Sequence, residues 1–129
     1  MPCYGQSHQD WTPLGPSYGG KVKRIYIAGP CTGYPDKNYP AFHAAAAFLR
    51  AAGFEVENPA ENPAPACGSW LGYMRMAVAQ IARVDALVLL PGWERSQGAQ
   101  VEFRLAEGLG LKVMTLEKFR AQHVEHHPV

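Results

Sequence analysis

Residues 86–90, Ala-Leu-Val-Leu-Leu, are a short run without one polar side chain, closed by Pro91-Gly92. A wholly apolar run between breakers reads as a strand covered on both faces, which places it inside a parallel sheet. A helical pattern starts near Gln97. Strand, loop and helix N-terminus in that order make the usual ligand edge of an open α/β sheet. Ser96 is positioned to cap the helix, and Gly98 lets an anion approach the free N–H groups of its first turn. Glu102 stands four residues after Gly98 on the same face, with its Cβ leaning toward the helix start. The positions three and four residues from it hold Gly98, Ala99, Leu105 and Ala106, so no Lys or Arg pairs with it within the helix. On spacing alone, Glu102 is either a solvated surface acid or a carboxylate aimed at whatever the loop holds.

The rest of the chain repeats the alternation of strand and helix. Val22–Ala28 is rich in β-branched and aromatic residues and reads as the first strand. Gly29-Pro30-Cys31-Thr32-Gly33 follows it, where glycines permit close backbone approach to a ligand. Residues 34–39 read as loop, and Pro40 suits the first turn of a helix whose stripe (Phe42, Ala45, Ala46, Leu49, Ala52) ends at Gly53. Phe54–Glu57 is a short second strand, and the proline-rich stretch 58–68 is a loop. Ser69 caps a helix reaching about Arg83, with apolar positions at Trp70, Leu71, Met74, Ala77, Val78 and Ile81. Lys112–Leu116 is the last strand and Glu117–Gln122 a short helix.

This order predicts one α/β domain over residues 21–122, a small flavodoxin-like (Rossmann-like) three-layer sandwich with a mostly parallel sheet in strand order 2-1-3-4. The glycine loop after strand 1 and the Ser96 turn after strand 3 would then be neighbours where the strand order reverses. Residues 1–20 carry repeated Pro and Gly without periodicity and read as a flexible arm, with Trp11 and Tyr18 able to dock on the body or on a partner subunit. Residues 123–129 read as a tail. Its His123, His126 and His127 are expected in solvent, since no acid or sulfur ligand stands at matching spacing, and no metal is expected.

A net charge of +1 without a basic run gives no electrostatic case for a nucleic-acid polymer as partner. No apolar stretch approaches the roughly 20 residues needed to span a bilayer, and a signal-peptide core is lacking. Cys3, Cys31 and Cys67 are odd in number and without metal-like spacing, which fits free thiols in a reducing cytoplasm.

Ser96-Gln-Gly-Ala-Gln-Val-Glu102 has a Ser-x-Gly-x-x-x-Glu form, and further stretches accompany it: Ile25–Gly33, Asn38–Phe42, Asn58–Glu61 and Leu89–Ala99. Their order and spacing resemble the nucleoside 2-deoxyribosyltransferase-like superfamily from about Lys23 to Thr115. The match is best to a small uncharacterised subfamily near the nucleoside 5′-monophosphate N-glycosidases. The resemblance implies a Glu102 nucleophile that attacks C1′ as the N-glycosidic bond breaks, releasing free base and (deoxy)ribose 5-phosphate. It implies that Gly29, Pro30, Cys31, Thr32 and Gly33, with Ser96 and Gly98, hold the 5′-phosphate, and that Tyr26 lies near the sugar. Asn58 and Glu61 become candidate base contacts, with turn formation the alternative for each, and Trp93 either stacks on a base or closes the edge of the core. No cofactor is implied. A homodimer or higher homo-oligomer is, because related enzymes close the crevice with a neighbouring subunit.

One position departs from the pattern. The related enzymes carry an Asp eight residues before the acid that opens strand 3; that acid is Asp85 here, and the earlier position is Ala77. The missing Asp orients the sugar or protonates the leaving base, so Glu94, Asp36 or water must replace it. A catalytically impaired nucleotide-binding module therefore stands beside hydrolysis, as does base exchange by a nucleoside deoxyribosyltransferase, which the superfamily resemblance also implies.

Overall fold

A computed structural model describes residues 22–65 and 68–125, with side chains through residue 122. The arm with Cys3, Trp11 and Tyr18, together with Cys67, the His123 side chain, His126 and His127, lies outside the described residues.

Four parallel strands, β1 (Arg24–Ala28), β2 (Glu55–Glu57), β3 (Ala86–Leu89) and β4 (Lys112–Thr115), pair in the order β2-β1-β3-β4. This is the expected flavodoxin-like order. The two central strands register Ile25 on Ala86 and Ala28 on Leu89. Every residue of β3 is buried, as a run with no polar position requires. The β1 entry is pinned from the neighbouring strand, where Asp85 Oδ2 accepts from the N–H groups of Lys23 and Arg24 at 2.9 and 3.0 Å.

Side-chain alternation divides the sheet between two helical layers. Ile25, Ile27, Ala86 and Val88 face α1 (Tyr39–Ala51) and α4 (Leu116–Glu125), where Phe42, Leu49 and Phe119 complete the packing. Tyr26, Ala28, Leu87 and Leu89 face α2 (Trp70–Ile81) and α3 (Gln97–Gly108), against Ala77, Ile81 and Ala106. Tyr26 thereby lands beside α2 and α3 because it is one residue out of phase with Ile25 and Ile27.

The phase of α2 differs from the expected stripe. Leu71 and Val78 are exposed at 60% and 42%, and Gln80 is buried in their stead. Gln80 exchanges amide hydrogen bonds with Asn62 at 2.7 and 3.0 Å and also donates to Glu57, so a polar network decides which face of the helix turns inward. The segment between β1 and α1 also departs from a plain loop. Pro35–Asn38 forms a short 3-10 turn in which Asp36, Lys37 and Asn38 all take positive φ, 53°, 55° and 63°. Left-handed backbone disfavours residues with a Cβ by roughly 1–2 kcal/mol each. The turn is held by Asn38 Nδ2, which donates to the Pro30 carbonyl at 2.9 Å, and by Lys37 N–H, which donates to the Tyr34 carbonyl at 3.0 Å.

Candidate active site

The loops leaving β1 and β3 meet at the C-terminal edge of the sheet, where the strand order reverses. Leu90 N–H donates to the Ala28 carbonyl at 2.8 Å. A Cβ on Gly29 would lie 2.8 Å from Leu90 Cβ, so this glycine is needed for one loop to lie on the other. Gly92 has φ +89°, and a Cβ there would lie 2.7 Å from the Tyr34 hydroxyl. The two segments expected to hold a phosphate are therefore neighbours and line a common cavity of about 880 Å³. That volume falls in the usual range for small-molecule sites.

The cavity wall beside the helix start is built as expected. Ser96 Oγ accepts from Ala99 N–H at 3.1 Å, and the Ser96 carbonyl accepts from Gln100. The N–H groups of Gln97 and Gly98, without an intrahelical partner by position, are left for a ligand. Opposite, Trp70, Tyr73, Met74 and Ala77 present one face of α2 to the cavity, at the spacing of a helical stripe. Gly98 faces α2, where a Cβ on it would meet Met74 Sδ at 3.4 Å and Trp70 Nε1 at 3.7 Å, in ordinary van der Waals contact.

Glu102 lies on the cavity floor, 8% exposed, and is not a solvated surface acid. The Tyr26 hydroxyl donates to its Oε2 at 2.9 Å. Burial pushes the Glu102 carboxyl up to about 8 against the downward pull of that hydrogen bond. Burial first, and then the charge of Glu102, holds the Tyr26 hydroxyl well above its ordinary value, so it stays protonated and remains a donor. Cys31, half-buried on the wall, has its thiol raised by burial and by Glu102 and drawn partly back by Lys37.

Of the residues singled out in the sequence, Tyr26, Ala77, Glu102, the whole loop from Gly29 to Gly33, Ser96 and Gly98 line this cavity. Trp93 does not. Its ring packs on Phe103 with centroids 4.9 Å apart, at the edge of the α2–α3 core. Asn58 is buried and shapes a turn, its Oδ1 accepting from Ala60 N–H at 3.0 Å; the residues it orders, Pro59 and Ala60, reach the cavity instead. Glu61 is held by Arg50 at 2.9 and 3.0 Å. Neither Asp36 nor Glu94 lines the cavity, so the two acids expected to replace the missing Asp are not at the site. Among the described residues, Glu102 is the one carboxylate in the cavity wall, and no group of three or more His, Cys, Asp or Glu is arranged to hold a metal ion.

Trp70, Tyr73, Tyr34, Lys37 and Arg95 are lining residues that the sequence did not disclose. Trp70 and Tyr73 were hidden because an aromatic on an apolar stripe reads as core. Their exposure, 45% and 37%, is the signal that separates them from it. No helix among the described residues is long and apolar enough to cross a membrane.

The fold matches that of a solved structure, "2-desoxiribosyltransferase from Leishmania mexicana", with a TM-score of 0.59 and 24% identity. The match covers 72% of this chain and 63% of the other, so this chain spans less than two thirds of that protein. No curated protein matches the sequence. Residues 23–115 match the family model described as Domain of unknown function (DUF4406), and the chain belongs to that family.

Proposed function

We propose that the protein hydrolyses the N-glycosidic bond of a nucleoside 5′-monophosphate, with Glu102 as nucleophile. The observation that carries this reading is the placement of Glu102: a buried carboxylate, hydrogen-bonded by Tyr26, on the floor of a cavity whose rim holds the Ser96-capped helix start. A phosphate on the Gln97 and Gly98 N–H groups and the Gly29–Gly33 loop would hold the sugar with C1′ over Glu102. The carboxylate attacks C1′ as the base departs, and water then cleaves the glycosyl ester, the two-step course of retaining glycosidases. Trp70 and Tyr73 are the most exposed of the aromatic rings that line the cavity and are placed to stack on a base; Trp93 is not among them. The test is to incubate the protein with a panel of nucleosides and 5′-monophosphates and follow free base by chromatography, with and without an acceptor base. Base released from monophosphates without acceptor supports hydrolysis; release that requires an acceptor gives base exchange, the reading favoured by the named activity of the fold neighbour.

A pH dependence follows from the carboxyl at about 8. The nucleophile must be ionised, and below its pKa the ionised fraction falls tenfold per pH unit. We expect kcat/KM for base release to climb between pH 6 and about 8 and level off above. A profile flat from pH 6 to 9 would remove a carboxyl raised to about 8 as the ionisation that controls the rate.

The homo-oligomer proposed from the sequence has a candidate surface in α2, where Leu71 and Val78 are exposed beside Trp70 at the cavity mouth. Light scattering at high micromolar concentration is expected to give a dimer or larger, and Leu71→Glu to shift it toward monomer. A monomer at that concentration removes the claim.

A further inference from the structure

We propose that Lys37 and Arg95, together with the Tyr34 hydroxyl, form a donor clamp for the substrate phosphate and make the site select nucleoside monophosphates over nucleosides. The proposal rests on the glycosidase reading for its substrate class, but its geometry is independent of Glu102. The two cations rise from opposite loops and both line the cavity. Arg24, Arg50 and Arg83 each hold a glutamate, whereas neither Lys37 nor Arg95 has a carboxylate partner among the described residues. The Tyr34 hydroxyl and Arg95 Nη2 converge over Gly92, at 2.7 and 3.5 Å from the point its Cβ would occupy. Ammonium and guanidinium groups can only donate, and the hydroxyl can donate beside them, so the set calls for an anionic acceptor.

The backbone supports the same conclusion. Lys37 is the middle residue of the left-handed turn 36–38, a conformation that persists in non-glycine residues only when its surroundings impose it. The Asn38–Pro30 hydrogen bond ties that turn to the glycine loop. From there Lys37 Nζ lies over the Tyr73 ring, 5.9 Å from its centroid, bridging the cavity mouth to α2. A lysine free in solvent would need neither the strained turn nor the tie. The Gln97 and Gly98 N–H groups, just after Arg95 in the chain, supply only neutral donors. A phosphate dianion held by these alone would keep most of its charge uncompensated, and Lys37 and Arg95 supply the balance.

The experiment measures binding of ribose 5-phosphate and of ribose by calorimetry at fixed ionic strength, for the wild type and for Lys37→Gln, Arg95→Gln and the double variant. Both side chains are exposed, so the variants are expected to fold, and thermal melting checks this. Each single variant is expected to weaken ribose 5-phosphate about tenfold and the double variant about 100-fold, as loss of one or two charge-assisted hydrogen bonds implies. Lys37→Arg and Arg95→Lys should retain most of the affinity, and ribose binding should not change. Gln variants that bind ribose 5-phosphate within twofold of wild type, or a wild type that binds it no better than ribose, overturn the clamp. Glu102→Gln separates the two readings, since it should keep ribose 5-phosphate binding while losing base release. Clamp-dependent phosphate binding without any base release defeats the glycosidase alone. Glu102-dependent release that is as fast from nucleosides as from monophosphates defeats the clamp and the monophosphate preference, and leaves the glycosidase chemistry of Glu102 standing.

Discussion

Glu102→Gln is expected to lower base release by at least about 10³-fold, the scale on which loss of a nucleophile registers in enzymes that form covalent intermediates. The substitution is nearly isosteric. Its amide oxygen can still accept from the Tyr26 hydroxyl, which now lies 2.9 Å from Oε2, so the cavity floor should survive. The same variant has an opposite signature in stability. Burial raises the folded-state pKa of Glu102 to about 8 from the ordinary 4.5. The fold therefore favours the protonated acid; its contribution is complete below about 4.5 and is lost as pH rises toward 8, at about 1.4 kcal/mol for each pH unit crossed. A glutamine has no proton to lose. Glu102→Gln should accordingly melt at a higher temperature than wild type at pH 8.5 and near the wild-type temperature at pH 4.5. Near-normal base release by the folded variant would sink the nucleophile assignment, and equal melting at both pH values would sink the account of its pKa.

Ala77→Asp is expected to raise base release at least tenfold. Ala77 is 4% exposed, packs in the same cluster as Tyr26 and lines the cavity, so a carboxyl there enters the site from α2 while Glu102 enters from α3. Two carboxyl groups facing one cavity do not ionise together; one keeps its proton longer, as in paired-acid glycosidases. That proton is what a departing base lacks in this chain, where Glu102 is the one carboxylate among the described lining residues. Restoring an acid–base group typically returns a factor of about 10²–10⁴, of which a site not adapted to it should realise part. Substrate affinity, set at the phosphate, should change less. Ala77→Asn controls for size and polarity, since an amide cannot supply the proton and should give no gain. If the aspartate variant folds and binds ribose 5-phosphate but releases base at the background rate, Ala77 is not a missing acid. A nucleotide-binding module then becomes the better reading.

Strands, helices and their order were legible because each rests on local rules. The apolar run at 86–90, short and closed by Pro91-Gly92, read as a doubly covered strand, Ser96 and Ser69 both cap as their positions suggested, and alternating elements favour a parallel sheet. Within that frame, the meeting of the two loops follows from strand order alone. The i and i+4 relation of Gly98 and Glu102 likewise set both on one face.

Other features were settled only by tertiary structure. Whether Glu102 met water or protein depended on α2 folding across it and on a strand tyrosine 76 positions away. Its pKa is a property of that enclosure and of no residue near it in sequence. Trp70 lines the cavity and Trp93 closes the core's edge on Phe103, a choice the sequence left open because an aromatic ring is equally at home in a core or a cavity wall. Lys37 and Arg95 carried no sequence signal at all, since a charged loop residue is in solvent by default. A left-handed turn tied to Pro30 brings Lys37 to the cavity, and the turn after β3 brings Arg95 there. Sequence periodicity decides which elements form and in what order. The side chains that share a cavity are decided by long-range closure, which no local pattern encodes.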